Sequence, residues 1–346
     1  MTRSVAQNDH NDAPADLGLC LVIGGGGFLG RHLVQMLLQD GQRVRVLGRN
    51  QYPDLAALGA DCRQGDITRR DELLPACQGV NTVFHTASLS AMWGRKRLLQ
   101  QVNVGGTANV LQACVSAGVA RLLYTSSPSV AIGQESICNG DESLPYPAQH
   151  IADYPRSKSQ AEKLVLQANH GTLRTCALRP HLLWGPDDPH ILPRIRSAAA
   201  RGRLRQIGAG RNVVTVTHVR NAAWGHILAA RELCGTARCA GKPYFLGDAE
   251  PICLWPWLNQ VLSIWGMPPI RGRISWRLAR LLAQCSEAWH TLLPFLGEPL
   301  MTAFVVDQLA RSHSFSYAAA TRDFGYHPLL SPAEGLETLR VGNAPV

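Results

Sequence analysis

Two side chains four residues apart, Tyr154 and Lys158, have the chemistry of a proton-transfer pair. On a helix this spacing places both on one face, where an ammonium lowers the pKa of a phenol from its usual value of about 10. A chain with so few lysines rarely places one there by chance. The pair predicts a general acid or base, and an exposed helical pair without function is the simpler alternative.

A run of hydroxyl side chains, Tyr124-Thr125-Ser126-Ser127, ends a predicted parallel strand upstream of this pair. Open α/β sheets bind their ligands at the carboxyl ends of strands. A serine there can donate a hydrogen bond to a substrate carbonyl while Tyr154 moves the proton. We predict that Ser127 does this, although each of these hydroxyls also fits a structural role.

Glycines at positions 24, 27 and 30 form a G-x-x-G-x-x-G pattern between an apolar run, residues 19–23, and a predicted helix. The first glycine allows a tight turn, the second lets the backbone approach a pyrophosphate, and the third permits close helix packing. The pattern predicts a dinucleotide site formed by the following residues: Gly24, Gly27, Phe28, Leu29 and Gly30. A turn that is merely rich in glycine is the alternative.

The end of the second predicted strand, Val46-Leu47-Gly48-Arg49, favours NADP(H) over NAD(H). It lacks the carboxylate that binds a ribose 2′-hydroxyl and carries a guanidinium suited to a 2′-phosphate. A solvated strand end is the alternative for Arg49. After the third predicted strand, Asp66 either accepts a hydrogen bond from the adenine amino group or caps a turn.

Short apolar runs alternate with amphipathic helical stretches through the first half of the chain, which predicts βαβ units with right-handed crossovers. The fold class is therefore α/β, a doubly wound parallel Rossmann-type sheet with a smaller, mostly helical C-terminal substrate lobe. We predict a disordered tail over residues 1–16, an NADP-binding domain over 17–186 and a covering lobe over 187–346. Residues 213–232 are expected to return to the main sheet, so that the two parts interleave.

The covering lobe is rich in tryptophan and leucine, which favours an apolar substrate over a nucleotide sugar. These side chains are expected to supply apolar surface over the pocket, although most belong to the core. His181 and His190 are candidates for binding a substrate carboxylate, and a structural role is the alternative. The stretch 273–293 either lies on a membrane surface or lines an acyl tunnel.

Composition excludes several classes of protein. A chain of 346 residues with 46% hydrophobic and 17% charged residues is neither disordered nor fibrous. The net charge of +9 suits nucleic acid, anionic lipid or phosphorylated small molecules, and the absence of a nucleic-acid motif argues against the first. Ten scattered cysteines predict reduced core thiols in a cytoplasmic protein without a metal site, and no apolar stretch predicts a membrane span.

In their order along the chain, these motifs resemble those of the extended short-chain dehydrogenase/reductases. The resemblance rests on the glycine pattern, Gly65-Asp66-Ile67, His85-Thr86-Ala87, Asn103-Val104-Gly105-Gly106-Thr107, Tyr154 with Lys158, and Leu178-Arg179-Pro180. Tyr124-Thr125-Ser126-Ser127-x-x-Val130 is similar to the 3β-hydroxysteroid dehydrogenase branch. Met92-Trp93-Gly94 and the segment 178–193 look most like bacterial reductases that convert 2-alkyl-3-oxoalkanoic acids to hydroxy acids in long-chain olefin synthesis.

The resemblance implies the roles of individual residues. Ser127 and Tyr154 would hydrogen-bond the carbonyl oxygen of a ketone that receives a hydride from NADPH, and Tyr154 would donate the proton. Lys158 would bind the nicotinamide ribose, with Asn103 in a proton relay or a structural role. Asp66, Ile67, Ala87 and Pro180 would border the cofactor. A homodimer and partner enzymes of an olefin pathway are further family expectations.

Two departures from the family pattern stand out. Ile23 replaces the usual threonine before the glycines, which removes a hydroxyl from the turn, and Ser88-Leu89-Ser90-Ala91 replaces the expected sequence before Trp93.

Three other functions stay open: a 3β-hydroxysteroid or sterol-4-carboxylate dehydrogenase, a nucleotide-sugar epimerase or reductase, and a non-catalytic NADP sensor. The intact Tyr154 and Lys158 pair argues against the last.

Overall fold

A computed structural model describes residues 15–341 except 91, 92, 94, 294, 296, 298 and 300. The predicted tail therefore lies almost wholly outside the described residues, as do Met92 and Gly94. Seven parallel strands form the main sheet in the order β12-β7-β5-β4-β1-β2-β3. Their bounds are β1 (Leu19–Ile23), β2 (Arg43–Gly48), β3 (Asp61–Gln64), β4 (Thr82–His85), β5 (Arg121–Thr125), β7 (Arg174–Pro180) and β12 (Lys242–Leu246).

Helices cover both faces of this sheet, as the alternating pattern predicts. They are α1 (Phe28–Gln39), α2 (Pro53–Ala57), α3 (Arg70–Cys77), α4 (Lys96–Leu99), α5 (Gly106–Ser116), α6 (Asp153–Gln167) and α8 (Val219–Cys234). A π-helical segment, Gln100–Gly105, joins α4 to α5, and a short 3₁₀ turn, Pro128–Val130, follows β5. The doubly wound Rossmann-type fold is thereby confirmed.

Strand β1 shows why this sheet is buried on both sides. Cys20 and Val22 pack into the core cluster that contains α1 and α8, whereas Leu21 and Ile23 pack into the cluster on the other face. All four side chains are at most 1% exposed. Alternate residues of a strand point to opposite faces, so a continuous apolar run is what a two-sided core requires.

The second half of the chain builds a smaller lobe around its own core, which contains Trp184, Trp255 and Trp257. Its helices are α7 (Ile191–Ala200), α9 (Leu254–Ile264), α10 (Trp276–Leu292), α11 (Ala303–Ala310) and α13 (Pro332–Val341), whereas α12 (Ala318–Phe324) packs on α8 and β12 of the main sheet. Its strands are β6 (Ile137–Gly140), β8 (Leu183–Trp184), β9 (Arg205–Ile207), β10 (Val213–Val214), β11 (Thr217–His218), β13 (Ile252–Cys253), β14 (Gly272–Ile274) and β15 (His313–Phe315).

The expectation that residues 213–232 return to the main sheet is wrong for the two strands they contain. β10 pairs with β13 and β15, and β11 pairs with β8, all outside the main sheet, whose seventh strand is β12. Helix α8 does pack on the main sheet, against α1, β5 and β7. The domain boundary near residue 186 stays a prediction.

All ten cysteines are free thiols. Five are buried, and burial raises the pKa of the Cys20 thiol to about 12. The prediction of core thiols is wrong for Cys138, Cys253 and Cys285, which are exposed.

Candidate active site

The glycine loop forms a cradle between β1 and α1. Gly24 has a φ of +86°, and a Cβ there would lie 2.7 Å from the backbone nitrogen of Ala87. A Cβ on Gly30 would overlap the carbonyl oxygen of Gly24, so the strand and the helix approach closely only with glycine. Gly27 is the N-cap of α1, and among the described residues no side chain caps the first N–H groups and no carboxylate lies in the first turn. Those N–H groups and the positive end of α1 are therefore available to a phosphate, so the cradle fits the predicted dinucleotide.

Around the end of β2, the structure adds two residues that the sequence reasoning missed. The ring of Tyr52 packs on the backbones of Gly26 and Gly48. Arg31, which follows the third glycine, donates from Nε to the carbonyl oxygen of Gly26 at 3.1 Å and forms an ion pair with Asp54. Arg49 is exposed, in the position predicted for a residue that contacts a 2′-phosphate.

Asp66 caps a turn. Its Oδ1 accepts hydrogen bonds from the backbone nitrogen and the hydroxyl of Thr68, at 2.8 and 2.9 Å. This is the structural alternative foreseen for Asp66, and its contact with adenine stays a prediction. Ile67 is buried against Gly106, where a Cβ would lie 2.6 Å from its Cδ1.

The carboxyl ends of four neighbouring strands bring the remaining site residues to one edge of the main sheet. Ile23 of β1 is in register with His85 of β4, and His85 with Tyr124 of β5. Thr125 of β5 lies beside Leu178 of β7, and Pro180 ends that strand. Ala87 follows β4, Ser127 follows β5 and Pro180 ends β7. All three therefore lie at the edge of the sheet at which open α/β folds bind ligands.

Ser127 lies where β5 turns into the 3₁₀ segment. Its Oγ accepts hydrogen bonds from the backbone nitrogen of Ser129 at 3.2 Å and from the Ser129 hydroxyl at 2.9 Å. Its side chain also interacts with Tyr154, and this interaction opposes the effect of burial on the pKa of the phenol. The structure thus brings together the two hydroxyls that the sequence pairs.

Lys158 lies one helical turn after Tyr154, in a closed environment. Its side chain is 1% exposed, its Nζ donates to the carbonyl oxygen of Thr125 at 2.7 Å, and its Nζ lies 4.2 Å from the ring centroid of Tyr124. Burial lowers the pKa of Lys158 to about 7, and Glu162 opposes this shift. Burial raises the pKa of Tyr154 to about 12. The expectation that Lys158 makes the phenol acidic is therefore not met in this arrangement, because burial dominates and keeps the phenol protonated.

Asn103 has a structural role in this arrangement. Its Oδ1 accepts from the backbone nitrogen of Leu89 at 2.7 Å, and its Nδ2 donates to the carbonyl oxygen of Leu89 and to Ser157 Oγ, both at 3.0 Å. Ser157 in turn donates to the carbonyl oxygen of Tyr154 at 2.8 Å. Asn103 thus links the segment after β4 to the helix that carries Tyr154.

A cavity of about 430 Å³ lies against Tyr154. It is lined on the sheet side by Trp93, Leu99, His150, Ile151, Ala152, Asp153, Tyr154 and Arg156, and on the lobe side by Glu287, Thr302, Ala303 and Phe304. His150 Nδ1 is buried without a hydrogen-bond partner among the described residues. Burial and the nearby Arg156 and Lys163 lower the pKa of His150, so its ring is neutral at pH 7.

Comparison with known proteins decides the family. A model of the 3-beta hydroxysteroid dehydrogenase/isomerase family matches residues 21–278. The chain belongs to this family. It is an NAD(P)-dependent oxidoreductase, and the branch to which the sequence motifs point is confirmed.

Several named proteins are similar to the chain over almost its whole length. It is 40% identical to a 2-alkyl-3-oxoalkanoate reductase of Shewanella oneidensis, over 94% of this chain and 86% of that protein. It is 41% identical to a protein of the same name from Stenotrophomonas maltophilia, over 94% and 99%. It is 37% identical to the mouse sterol-4-alpha-carboxylate 3-dehydrogenase, decarboxylating, over 92% and 89%.

Solved structures support the fold of this family member. DesIV, a dTDP-glucose 4,6-dehydratase from Streptomyces venezuelae solved with NAD bound, superposes with a TM-score of 0.71 at 24% identity, over 93% of this chain and 96% of that one. At that identity the likeness shows the fold alone. The family match, by contrast, supports a nicotinamide dinucleotide as the cofactor.

Other sequence expectations about the pocket are not met. His181 is buried against His313, with Nε2 and Nδ1 2.6 Å apart, and His190 is exposed. Neither lines the cavity at Tyr154, whereas His150 and Arg156 do. The apolar side chains expected to cover the pocket also differ: Trp255 and Trp257 belong to the core of the lobe, while Leu281, Leu282, Trp289 and Leu292 are exposed.

Proposed function

We propose that this family member is an NADPH-dependent ketoreductase that reduces a long-chain 2-alkyl-3-oxoalkanoic acid to the 3-hydroxy acid. The observation that carries the proposal is the pairing of Ser127 with a protonated Tyr154 beside a cavity that also presents Arg156 and His150. The 40% and 41% identities to reductases of that name support the substrate class.

In this proposal a bound dinucleotide supplies the hydride. The hydroxyls of Ser127 and Tyr154 donate hydrogen bonds to the substrate carbonyl oxygen and stabilise the negative charge that develops there. As the carbonyl carbon gains its hydrogen, the O–H bond of Tyr154 breaks and its proton passes to the substrate oxygen. The ammonium of Lys158 then lies in the same closed environment as the phenolate and stabilises it.

Recognition of the substrate carboxylate is assigned to Arg156 and His150. A 3-oxo acid carries its carboxylate two carbons from the ketone, and both side chains line the cavity that reaches Tyr154. Arg156 is only loosely held by Asp153, with 3.5 Å between Nη1 and Oδ1. A neutral imidazole can donate from a nitrogen that has no other partner, and a guanidinium donates charge-assisted hydrogen bonds to carboxylates.

The second candidate function is oxidation of a sterol that carries a carboxylate beside its 3-hydroxyl. The 37% identity to the mouse sterol-4-alpha-carboxylate 3-dehydrogenase favours it. In both substrate classes the reacting oxygen is bonded to the carbon β to the carboxylate. A site for that carboxylate therefore serves either substrate. The shape of the apolar part of the cavity decides which of the two substrates binds.

A substrate panel tests the proposal. Initial rates of NADPH oxidation are measured with a 2-alkyl-3-oxoalkanoic acid, with the matching ketone that lacks the carboxylate, and with a nucleotide-linked 4-ketosugar. NAD(P)⁺ reduction is measured with a 3β-hydroxysterol-4-carboxylate. We expect the oxo acid to be the best substrate. A higher kcat/KM for the sterol acid or the nucleotide sugar contradicts the proposal.

Arg156→Ala tests the carboxylate contact, with Gln160→Ala, one turn later on the exposed face of α6, as the matched control. We expect Arg156→Ala to raise KM for the oxo acid by about tenfold, the loss of one charge-assisted hydrogen bond, and to leave the simple ketone unaffected. An equal effect on both substrates contradicts the assignment.

A further inference from the structure

Helix α10 presents large apolar side chains to the outside of the molecule. Leu278, Leu281, Leu282, Trp289 and Leu292 are between 49% and 74% exposed. They recur at helical spacing and form one stripe, to which Cys285 also belongs. Only two side chains of α10 are fully buried, the small Ala279 and Ala283 on the opposite face. This is the reverse of the usual helix at a protein surface, and a contiguous exposed apolar stripe of this kind marks an interaction site.

Exposed cations gather at the N-terminal end of the same helix. β14, which directly precedes α10, pairs with β9 so that Gly272 lies beside Arg205. Arg205, Arg271, Arg273 and Arg277 are all exposed, and within the described part of the chain none of them forms an ion pair. With a net charge of +9 for the whole chain, this end of the stripe is suited to an anionic partner.

The inner face of α10 borders the candidate active site. Glu287 lines the cavity at Tyr154, and its Oε1 accepts a hydrogen bond from the backbone nitrogen of Ala303 at 2.9 Å, at the start of α11. Phe304 lines the same cavity. One helix therefore has the cavity on one side and the apolar stripe on the other.

We propose that α10 docks the protein on an anionic lipid bilayer. The stripe lies in the interface plane with its leucines and Trp289 among the acyl chains, and the arginines at its N-terminal end contact the lipid phosphates. Among the described residues no helix has the length and apolar character needed to cross a bilayer. Docking in this orientation places the wall of the cavity against the phase in which a long-chain acid dissolves.

Vesicle co-sedimentation of the full chain tests the proposal, with phosphatidylcholine vesicles that contain or lack phosphatidylglycerol. We expect binding to the anionic vesicles that weakens with salt and is at least tenfold stronger than binding to the neutral ones. Leu281→Glu and the double variant Arg273→Glu, Arg277→Glu are expected to lose at least tenfold in binding. Leu58→Glu is the matched control, because Leu58 is also 55% exposed but lies after α2, far from the stripe along the chain.

Several results would overturn this proposal. They are equal binding of the wild-type protein to both kinds of vesicle, no binding to either, or an equal loss in the Leu281→Glu and Leu58→Glu variants. A wild-type dimer that Leu281→Glu dissociates without vesicles would show that a second copy covers the stripe. Circular dichroism of each variant shows whether it folds. Because vesicle binding is measured without substrate, the result is independent of the proposed reaction.

Discussion

Tyr154 and Lys158 share one face of α6, and burial favours the neutral form of both, so it shifts their pKa values in opposite directions. It keeps the phenol protonated, with a pKa of about 12, and brings the pKa of the ammonium down to about 7. A protonated phenol is the form that donates a proton to a ketone oxygen, so this environment suits reduction. The spacing of the pair was predictable from the sequence, whereas the desolvation of each group depends on neighbours that the sequence does not place.

The pH dependence of reduction follows from the Lys158 shift. Lys158 carries its charge below a pH of about 7 and loses it as the pH rises through that value. The stabilisation of the developing phenolate is lost with it. We expect kcat/KM for ketone reduction to fall as the pH rises through about 7, measured as initial rates at subsaturating substrate. A profile that stays flat across this range would show that the charge of Lys158 contributes nothing.

The predicted preference for NADPH over NADH depends on Arg49. Its side chain is exposed at the end of β2, while the nearest downstream carboxylate, Asp54, is held by Arg31. We expect Arg49→Ala to raise KM for NADPH by about tenfold, the loss of one charge-assisted hydrogen bond, with little change for NADH. Asn50→Ala, at the adjacent exposed position, is the control. Similar effects on the two cofactors would rule out a contact between Arg49 and the 2′-phosphate.

At the scale of elements, a buried ion pair joins α6 to β7. Glu162 Oε1 accepts from Arg179 Nη2 at 2.6 Å, and Glu162 Oε2 accepts from Arg179 Nε at 2.9 Å. Neither side chain is more than 2% exposed. Tyr146 also donates to Glu162, at 2.7 Å. These contacts fix the helix that carries Tyr154 and Lys158 to the strand that ends at Pro180.

Removing one charge of this pair leaves the other buried without compensation. Glu162→Gln is therefore expected to lower the free energy of unfolding by about 3–5 kcal/mol, measured by denaturant titration. Asp153→Asn is the control, because Asp153 forms a looser and partly exposed pair with Arg156 on the same helix. Comparable stability losses in the two variants would show that the buried pair is not a special constraint.

The sequence predicts the elements of the main sheet closely, because their apolar runs are continuous and their helices periodic. β1 coincides with the apolar run over residues 19–23, and a π-helical segment directly precedes α5. The π-helical segment carries Asn103, whose hydrogen bonds to Leu89 and Ser157 are formed only in the tertiary structure. The two-residue β11 was misplaced because its pairing with β8 joins segments distant in sequence.

In the whole molecule, the large apolar side chains of α10 lie at the surface, whereas those of the second half of the chain were expected to cover the pocket. The sequence shows that α10 is amphipathic, but it does not show which face other elements cover. In the structure α11 packs against α10, and the large apolar side chains of α10 point outward, while Glu287 of α10 and the start of α11 supply the lobe side of the cavity. The predicted homodimer and pathway partners stay predictions.

The proposed role of Tyr154 as proton donor is tested by comparing the wild-type protein with Tyr154→Phe in NADPH oxidation with a 2-alkyl-3-oxoalkanoic acid. The substitution removes the proton donor and keeps the ring. We expect kcat to fall by about 10²–10⁴-fold, with little change in NADPH affinity. A Tyr154→Phe variant that reduces the oxo acid at the wild-type rate would show that Tyr154 is not the proton donor.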